Sequence, residues 1–228
     1  MLKTFQTMAV IPAYNEAKHI SHVVKAAKRF VPVLVVDDSS VDETAKIAEI
    51  AGAQVLRQPS NQGKGSALRA GFQRALDLGC KAVITLDADG QHDPTEIGKF
   101  LQLYAVREPD LIIGRRSFRK MPLTRRIANT TGGWLFSWAL GQSIPDNQSG
   151  YRMLSRRFIE TILYSNEQGF EYEVEMLATC LKQHFDLDWV PIRTIYADES
   201  SHIDPVSHIV NFLRILWITR QRMKMATS

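Results

Sequence analysis

The chain has 228 residues, 45% hydrophobic and 23% charged, with a formal net charge of +4. This is one large domain, or one with a small appendage, of ordinary soluble composition, and its mild cationic excess suits phosphate-bearing ligands or a membrane surface. Its two cysteines, Cys80 and Cys180, are far apart and outside any CxxC pair, which argues against a disulfide framework or cysteine zinc site and for a reducing, cytoplasmic setting.

In chain order, MLKTFQTMAVIP carries no long apolar segment before a polar loop begins at Ala13, which predicts no signal peptide. The strand TMAVIP leads to a helical pattern over Glu16–Lys28, then the strand VPVLVVD and a helix over Asp42–Ala51. The strand AQVLR, a helix over Gly63–Leu78, the strand KAVITLD, a helix over Thr95–Arg107 and the strand DLIIG follow. Asp42 and Pro94–Glu96 mark helix starts. Strand–helix alternation of this kind predicts an α/β fold, a mostly parallel sheet with helices on both faces. The second half is less regular and more helical. Its longest charge-free stretch, Ile127 to Pro145, is broken by polar residues and glycines and falls short of the ~20 mainly apolar residues a bilayer span asks for.

Two of the expected strands end in clustered acids, VLVVDDSS at Val33–Ser40 and VITLDAD at Val83–Asp89. In an open parallel sheet, ligands bind beyond the carboxyl ends of the strands. Like charges side by side repel, so the clusters call for a cation or for hydroxyl groups to accept from. Capping of the helix near Asp42 by Asp38–Ser40 is the plainer reading of the first cluster. In LDADGQHDP, the spacing lets Asp87 and Asp89 reach one side of a turn at Gly90, and Gln91 can add a neutral oxygen. Oxygen ligands of this kind suit Mg2+ or Mn2+, with room left for a diphosphate. His92, a lone histidine in a polar loop, reads more simply as solvated. A phosphoacceptor receiver domain also carries an acid pair after a strand. There the pair belongs on the first strand, however, and here TMAVIP precedes it.

Seven segments together resemble family 2 glycosyltransferases of the GT-A fold, in particular the dolichol-phosphate mannose synthase branch. They are IPAYNE, VVDDSSVDET, NQGKGSALRAGF, LDADGQHDP, IIGRRS, DNQSGYRML and GFEYEVEML, in the family's order over almost the full chain. The resemblance implies an inverting transfer of a sugar from a nucleotide-diphospho-sugar to a polyprenyl phosphate, with Mg2+ or Mn2+ on Asp87, Asp89 and Gln91. It places the nucleotide-sugar beside Pro12, Tyr14, Glu16 and Asp87, with Glu16 or Asp38 accepting from base or ribose, and makes Asp89 catalytic. An alternative for IPAYNE is a turn and helix cap at Asn15.

In NQGKGSALRAGF the glycines lack the third glycine of a dinucleotide fingerprint and the spacing of a Walker loop. They read as a turn that lets the next helix pack on the sheet, with Lys64 a candidate donor contact. Arg115 to Arg126 hold six cations and no acid. Such a run is often a solvated loop or nucleic-acid patch. Directly after a strand end, it lies on the metal-site rim, where arginine forks suit phosphate rather than nucleic acid. The resemblance assigns Arg116, Arg125 and Asn129 to the acceptor phosphate, counts Arg116 as catalytic too, and gives Asp146 a catalytic or acceptor-orienting role. An acceptor phosphate is already anionic and needs no strong general base.

The aromatic GGWLFSWALG and the amphipathic HIVNFLRILWITRQRMK suggest peripheral membrane contact. They divide the chain into a glycosyltransferase domain at 1–204 and a C-terminal amphipathic helix at 205–228. Packing of both on the core, with a soluble acceptor, is the alternative. The chain departs from the family at Tyr196, where an arginine is expected, and at His202, where a lysine is expected. The donor, GDP-mannose or a UDP-hexose, stays open.

Overall fold

A computed structural model describes residues 6–116, 133, 135, 137–138, 140–146, 149–163, 171–193 and 220. The candidates Arg125, Asn129, Tyr196 and His202, the 204/205 boundary and most of the C-terminal helix lie outside these residues.

The runs TMAVIP, VLVV and AVIT are continuous apolar segments because both sides of these strands are covered, whereas AQVLR forms a half-exposed edge strand. β1 (Thr7–Ala13), β2 (Val33–Asp37), β3 (Gln54–Arg57) and β4 (Ala82–Thr85) are parallel and alternate with α1 (Ile20–Ala27), α2 (Thr44–Ala51) and α3 (Lys64–Asp77). A 3-10 turn at Pro94–Glu96 leads into α4 (Ile97–Arg107), then β5 (Leu111–Arg116), β6 (Arg152–Ser155), α5 (Arg156–Ile162), α6 (Glu171–Lys182) and β7 (Leu187–Ile192). The strands order as β3-β2-β1-β4-β6-β5-β7. β6, which the alternation did not reveal, runs antiparallel to both β4 and β5. The sheet is therefore mostly parallel, as expected.

Side chains of a strand alternate between faces, and the core divides accordingly. Met8, Val10, Leu34 and Val36 join α3, α5 and α6 through Phe72, Phe158 and Tyr172. Ala9, Ile11, Val33 and Val35 join α1, α2 and α4 through Val24, Ala48 and Phe100. With β1 between β2 and β4, the loops after these three strands leave from neighbouring carboxyl ends on one rim.

Two buried features fix this frame. A Cβ on Gly71 of α3 would lie 2.4 Å from Val10 Cγ1 and 3.1 Å from Val36 Cγ2, so α3 sits on the sheet only because this residue has no side chain. Gly71, in the same segment, allows the packing expected of it, while a Cβ on Gly63 would meet nothing within 4 Å. At the opposite rim, the buried Asp110 carboxylate accepts from Arg157 Nε at 3.0 Å, Ser155 Oγ at 2.9 Å and the Asp186 amide at 3.1 Å. Burial alone would raise its pKa, but these donors outweigh burial and hold it below the ordinary 3.8.

Gly71→Ala should destabilise the fold by about 1–3 kcal/mol through overpacking, seen as a lower urea midpoint. Asp110→Asn should be less stable than wild type at neutral pH. A carboxylate with a depressed folded pKa stabilises above its unfolded value, near 4, and loses that contribution as pH falls through the folded value. The stability gap between the two proteins should therefore close in acid, measured by denaturant titrations from pH 7 to 3.

Candidate active site

The loop after β2 holds its neighbours by accepting their main-chain amides. Ser40 Oγ accepts from Asn15 N–H at 2.9 Å, Thr44 Oγ1 from Glu16 N–H at 2.7 Å, and Asp42 Oδ2 from Ala17 N–H at 3.1 Å. Asn15 returns one bond, its Oδ1 accepting from Val41 N–H at 2.9 Å. A turn over residues 17–19, with the His19 and Ile20 amides donating to Glu16 O, comes first, so α1 begins at Ile20 rather than at Glu16 as expected. Asn15 consequently caps no helix. On the other side, Asp38 Oδ1 and Oδ2 accept from the Gln62 and Gly63 amides at 2.9 and 2.7 Å, setting the start of α3. Neither Asp38 nor Ser40 caps α2; Glu43, at the cap position, makes no side-chain cap bond.

The two acids of the first cluster have different work. Asp37 is fully buried, takes the Ser40 amide at 3.3 Å and lies 3.2 Å from Arg57 Nε of β3. It belongs to the scaffold. Asp38 lines a cavity of about 270 Å³ with Pro12, Tyr14, Glu16, Lys64, Asp87 and Asp89. The six residues assigned to the nucleotide-sugar thus share one cavity with Asp89. Tyr14, 46% exposed, presents its ring there.

Asp87 and Asp89 lie past β4, which ends at Thr85, two residues earlier than expected. Lys64 Nζ lies 2.6 Å from Asp87 Oδ1 and 2.8 Å from Glu173 Oε1. Burial would raise the Asp87 carboxyl, but Lys64 above all outweighs it and holds the group at about 2. Burial and the Asp87 charge push Asp89 up, and the Gln91 amide, 2.9 Å from Asp89 Oδ1, offsets this only in part. Gln91 contributes that main-chain bond and does not line the cavity. His92 is buried rather than solvated: Nδ1 accepts from the Asp87 amide at 3.0 Å, and the ring lies 5.1 Å from that of Tyr151. Burial lowers its pKa, keeping the ring neutral for that bond.

A carboxylate pushed up by its neighbour's charge beside a cavity fits a divalent cation. Among the described residues no group of three or more His, Cys, Asp or Glu is placed to hold one. Asp87 and Asp89 would supply two carboxylates, leaving diphosphate oxygens and water to complete the shell, as Mg2+ usually requires.

Arg116, at the end of β5, is gripped by Asp146 through Nε–Oδ2 at 2.7 Å and Nη2–Oδ1 at 2.9 Å, with its own amide 3.2 Å from Oδ2. Asp146 is 2% exposed. The Arg116 charge also helps to lower Asp87, which ties this pair to the site electrostatically.

Three contributors carried no assigned role in the sequence. A Cβ on Gly150 would lie 2.9 Å from Asp87 Oδ2 and 3.0 Å from Lys64 Nζ, so a larger residue there would displace that pair. Arg152, fully buried, donates through Nε to Ser149 O at 2.8 Å and through Nη1 to Glu173 O at 2.6 Å, fixing the first turn of α6. Glu173 follows from that fixing. The segments SGYR and FEYEVE were the available signals, but neither says which residue faces the cavity.

Parallel strands ending at such a cavity, with this sheet, make a GT-A fold. The chain belongs to Glycosyl transferase family 2, whose family model matches residues 8–163, and is a glycosyltransferase. It is 30% identical over 217 residues to UDP-N-acetylglucosamine–dolichyl-phosphate N-acetylglucosaminyltransferase of Methanococcus voltae, covering 84% of this chain and 86% of that one. It is 31% identical over 205 residues to polyprenol monophosphomannose synthase of Mycolicibacterium smegmatis, covering 83% and 77%. Its fold is similar to that of glucosyl-3-phosphoglycerate synthase from Mycobacterium tuberculosis, solved with Mn2+, uridine diphosphate and phosphoglyceric acid. The TM-score is 0.70 at 20% identity, covering 94% of this chain and 77% of that one.

His92→Phe would strand the Asp87 amide inside the protein. Losing a buried partner costs about 1–3 kcal/mol, so the denaturation midpoint should fall. A midpoint equal to wild type would show that the Asp87 amide does not depend on His92.

Proposed function

We propose that the enzyme transfers a sugar, with inversion, from a nucleotide-diphospho-sugar to a polyprenyl phosphate, assisted by Mg2+ or Mn2+. The observation that carries this reading is the single cavity shared by Tyr14, Glu16, Asp38, Lys64, Asp87 and Asp89. The two relatives above act, by their names, on dolichyl phosphate and polyprenol, which supports a lipid phosphate acceptor.

In this reading Pro12, Tyr14, Glu16 and Asp38 bind the nucleoside, with Tyr14 against the base. Asp38, whose oxygens already hold two amides, can still accept, since each carboxylate oxygen has two lone pairs. Asp87 and Asp89 would hold the divalent cation, whose charge would offset that of the leaving diphosphate, while Gln91 holds Asp89 through its main-chain amide. Arg116 binds the acceptor phosphate, joined by Arg125 and Asn129. Asp146, with both oxygens on Arg116, orients that guanidinium rather than taking a proton. The acceptor phosphate, already anionic, attacks the sugar carbon without a general base.

Peripheral contact with a membrane on its cytoplasmic side would bring the lipid within reach. Among the described residues no helix is long and apolar enough to cross a membrane. Trp138 is 54% exposed, and the Arg220 guanidinium lies 4.7 Å from its ring centre. The two stretches read as membrane-facing therefore meet at this pair, and an exposed aromatic beside a cation suits an anionic interface.

The test is a panel of GDP- and UDP-sugars with Mn2+ or Mg2+ and a short polyprenyl phosphate, scored for nucleoside diphosphate and glycolipid. One donor should give metal-dependent glycolipid, and Asp89→Ala should abolish it with an unchanged thermal melt. Donor turnover with a soluble acceptor only would remove the lipid from the reading. Full activity in Asp89→Ala would remove the metal assignment.

A further inference from the structure

Lys64 sits where a cation is needed. Its ammonium bridges Asp87 Oδ1 at 2.6 Å and Glu173 Oε1 at 2.8 Å. The lysine and Asp87 side chains are 23% and 27% exposed, and that of Glu173 only 5%. Glu173 Oε2 is buried with no hydrogen-bond partner among the described residues. A buried carboxylate with one oxygen unused is costly unless something approaches it. Its main-chain carbonyl accepts from Arg152, which fixes the point from which the side chain projects.

Asp87 is also one of the two carboxylates available to a divalent ion. Lys64 Nζ and such an ion would compete for Asp87 Oδ1, because two cations on one oxygen repel. Glu173 gives the lysine somewhere to go: it already holds one ammonium proton and has a second oxygen in reserve. The pair of carboxylates flanking Lys64 thus forms a two-position seat for one ammonium group.

We propose that Lys64 is a resident cation that stands in at Asp87 before metal arrives, and that Glu173 is the positioning residue that receives it when the metal binds. The lysine then remains beside the diphosphate as a second positive charge rather than leaving the site. This deepens the function proposed above and rests on metal binding at Asp87 and Asp89. The consequence is a defined coupling: Lys64 opposes metal binding, and Glu173 relieves that opposition only through Lys64.

The experiment measures Mn2+ binding to the full chain by the loss of the free Mn2+ electron paramagnetic resonance signal, without nucleotide. Wild type, Lys64→Met, Glu173→Gln and the double variant are compared, with thermal melts to check folding. Lys64→Met should bind Mn2+ about tenfold more tightly, the order expected for removing one unit charge a few ångströms away through water. Glu173→Gln should bind severalfold more weakly, since its lysine is left on Asp87 alone. In the Lys64→Met background, Glu173→Gln should change affinity less than twofold, because a residue that acts through another has no effect once that other is gone.

Equal weakening by Glu173→Gln in both backgrounds would mean that Glu173 acts on the metal by its charge alone, and would overturn the proposal. So would unchanged affinity in Lys64→Met. Should Lys64→Met fail to fold, Lys64→Gln keeps a polar group in the same place and carries the same expectations. Absence of Mn2+ binding in wild type even with added uridine diphosphate or guanosine diphosphate would instead sink the metal reading itself, a different result from additivity in the cycle.

Discussion

The site depends on one constraint: the loop after β2 must satisfy the main-chain amides of the loops on either side. Three acceptors, from Ser40, Thr44 and Asp42, take the amides of residues 15–17. The Asp38 carboxylate takes those of Gln62 and Gly63. Amides near a sheet rim that found no partner would be costly, so the polar run DDSSVDET is selected by backbone chemistry as much as by any ligand. Its effect is to hold Tyr14 and Glu16 on one wall of the cavity and Lys64 on another.

Charge is then concentrated on a frame that cannot easily yield. Asp87 and Asp89 from one loop and Glu173 from a helix converge, with Lys64 between two of them. Arg116 and Asp146 form a second, self-compensating pair beside them. Ion pairs this shielded are poor sources of stability, since desolvation offsets most of the attraction. Their value is positional: each fixes a charged group within reach of a phosphate-bearing ligand. Gly150 and Gly71 serve the same end by absence, one leaving room for the Asp87–Lys64 pair and the other letting α3 carry Lys64 down onto the sheet.

The first half of the fold could be read directly from the sequence. Strands buried on both faces show as unbroken β-branched runs, and the helices between them carry their own period, so β1 to β5 and α2 to α4 fall close to their expected places. Errors cluster where side chains bond to main chain. The early start expected for α1 fails where Ser40, Thr44 and Asp42 hold the amides of residues 15–17 and a turn over 17–19 precedes the helix. His92 looked solvated because nothing local shows that Tyr151 and Asp87 will enclose it.

The sequence by itself determined the chemistry available: acids at two strand ends, a lysine after a glycine turn, arginines after the fifth strand. It did so because strand ends, turns and residue types are set by short-range physics. Only the tertiary structure decided the partnerships. Insertion of β6 antiparallel between β4 and β5 brings Gly150 against Asp87, and α6 brings Glu173 to Lys64, 109 positions away along the chain. It also separated Asp37, which belongs to the scaffold, from Asp38, which faces the cavity. Asp37 is the last residue of β2 and Asp38 the first of the loop beyond it, and which of them meets the ligand is settled by what packs around that strand end.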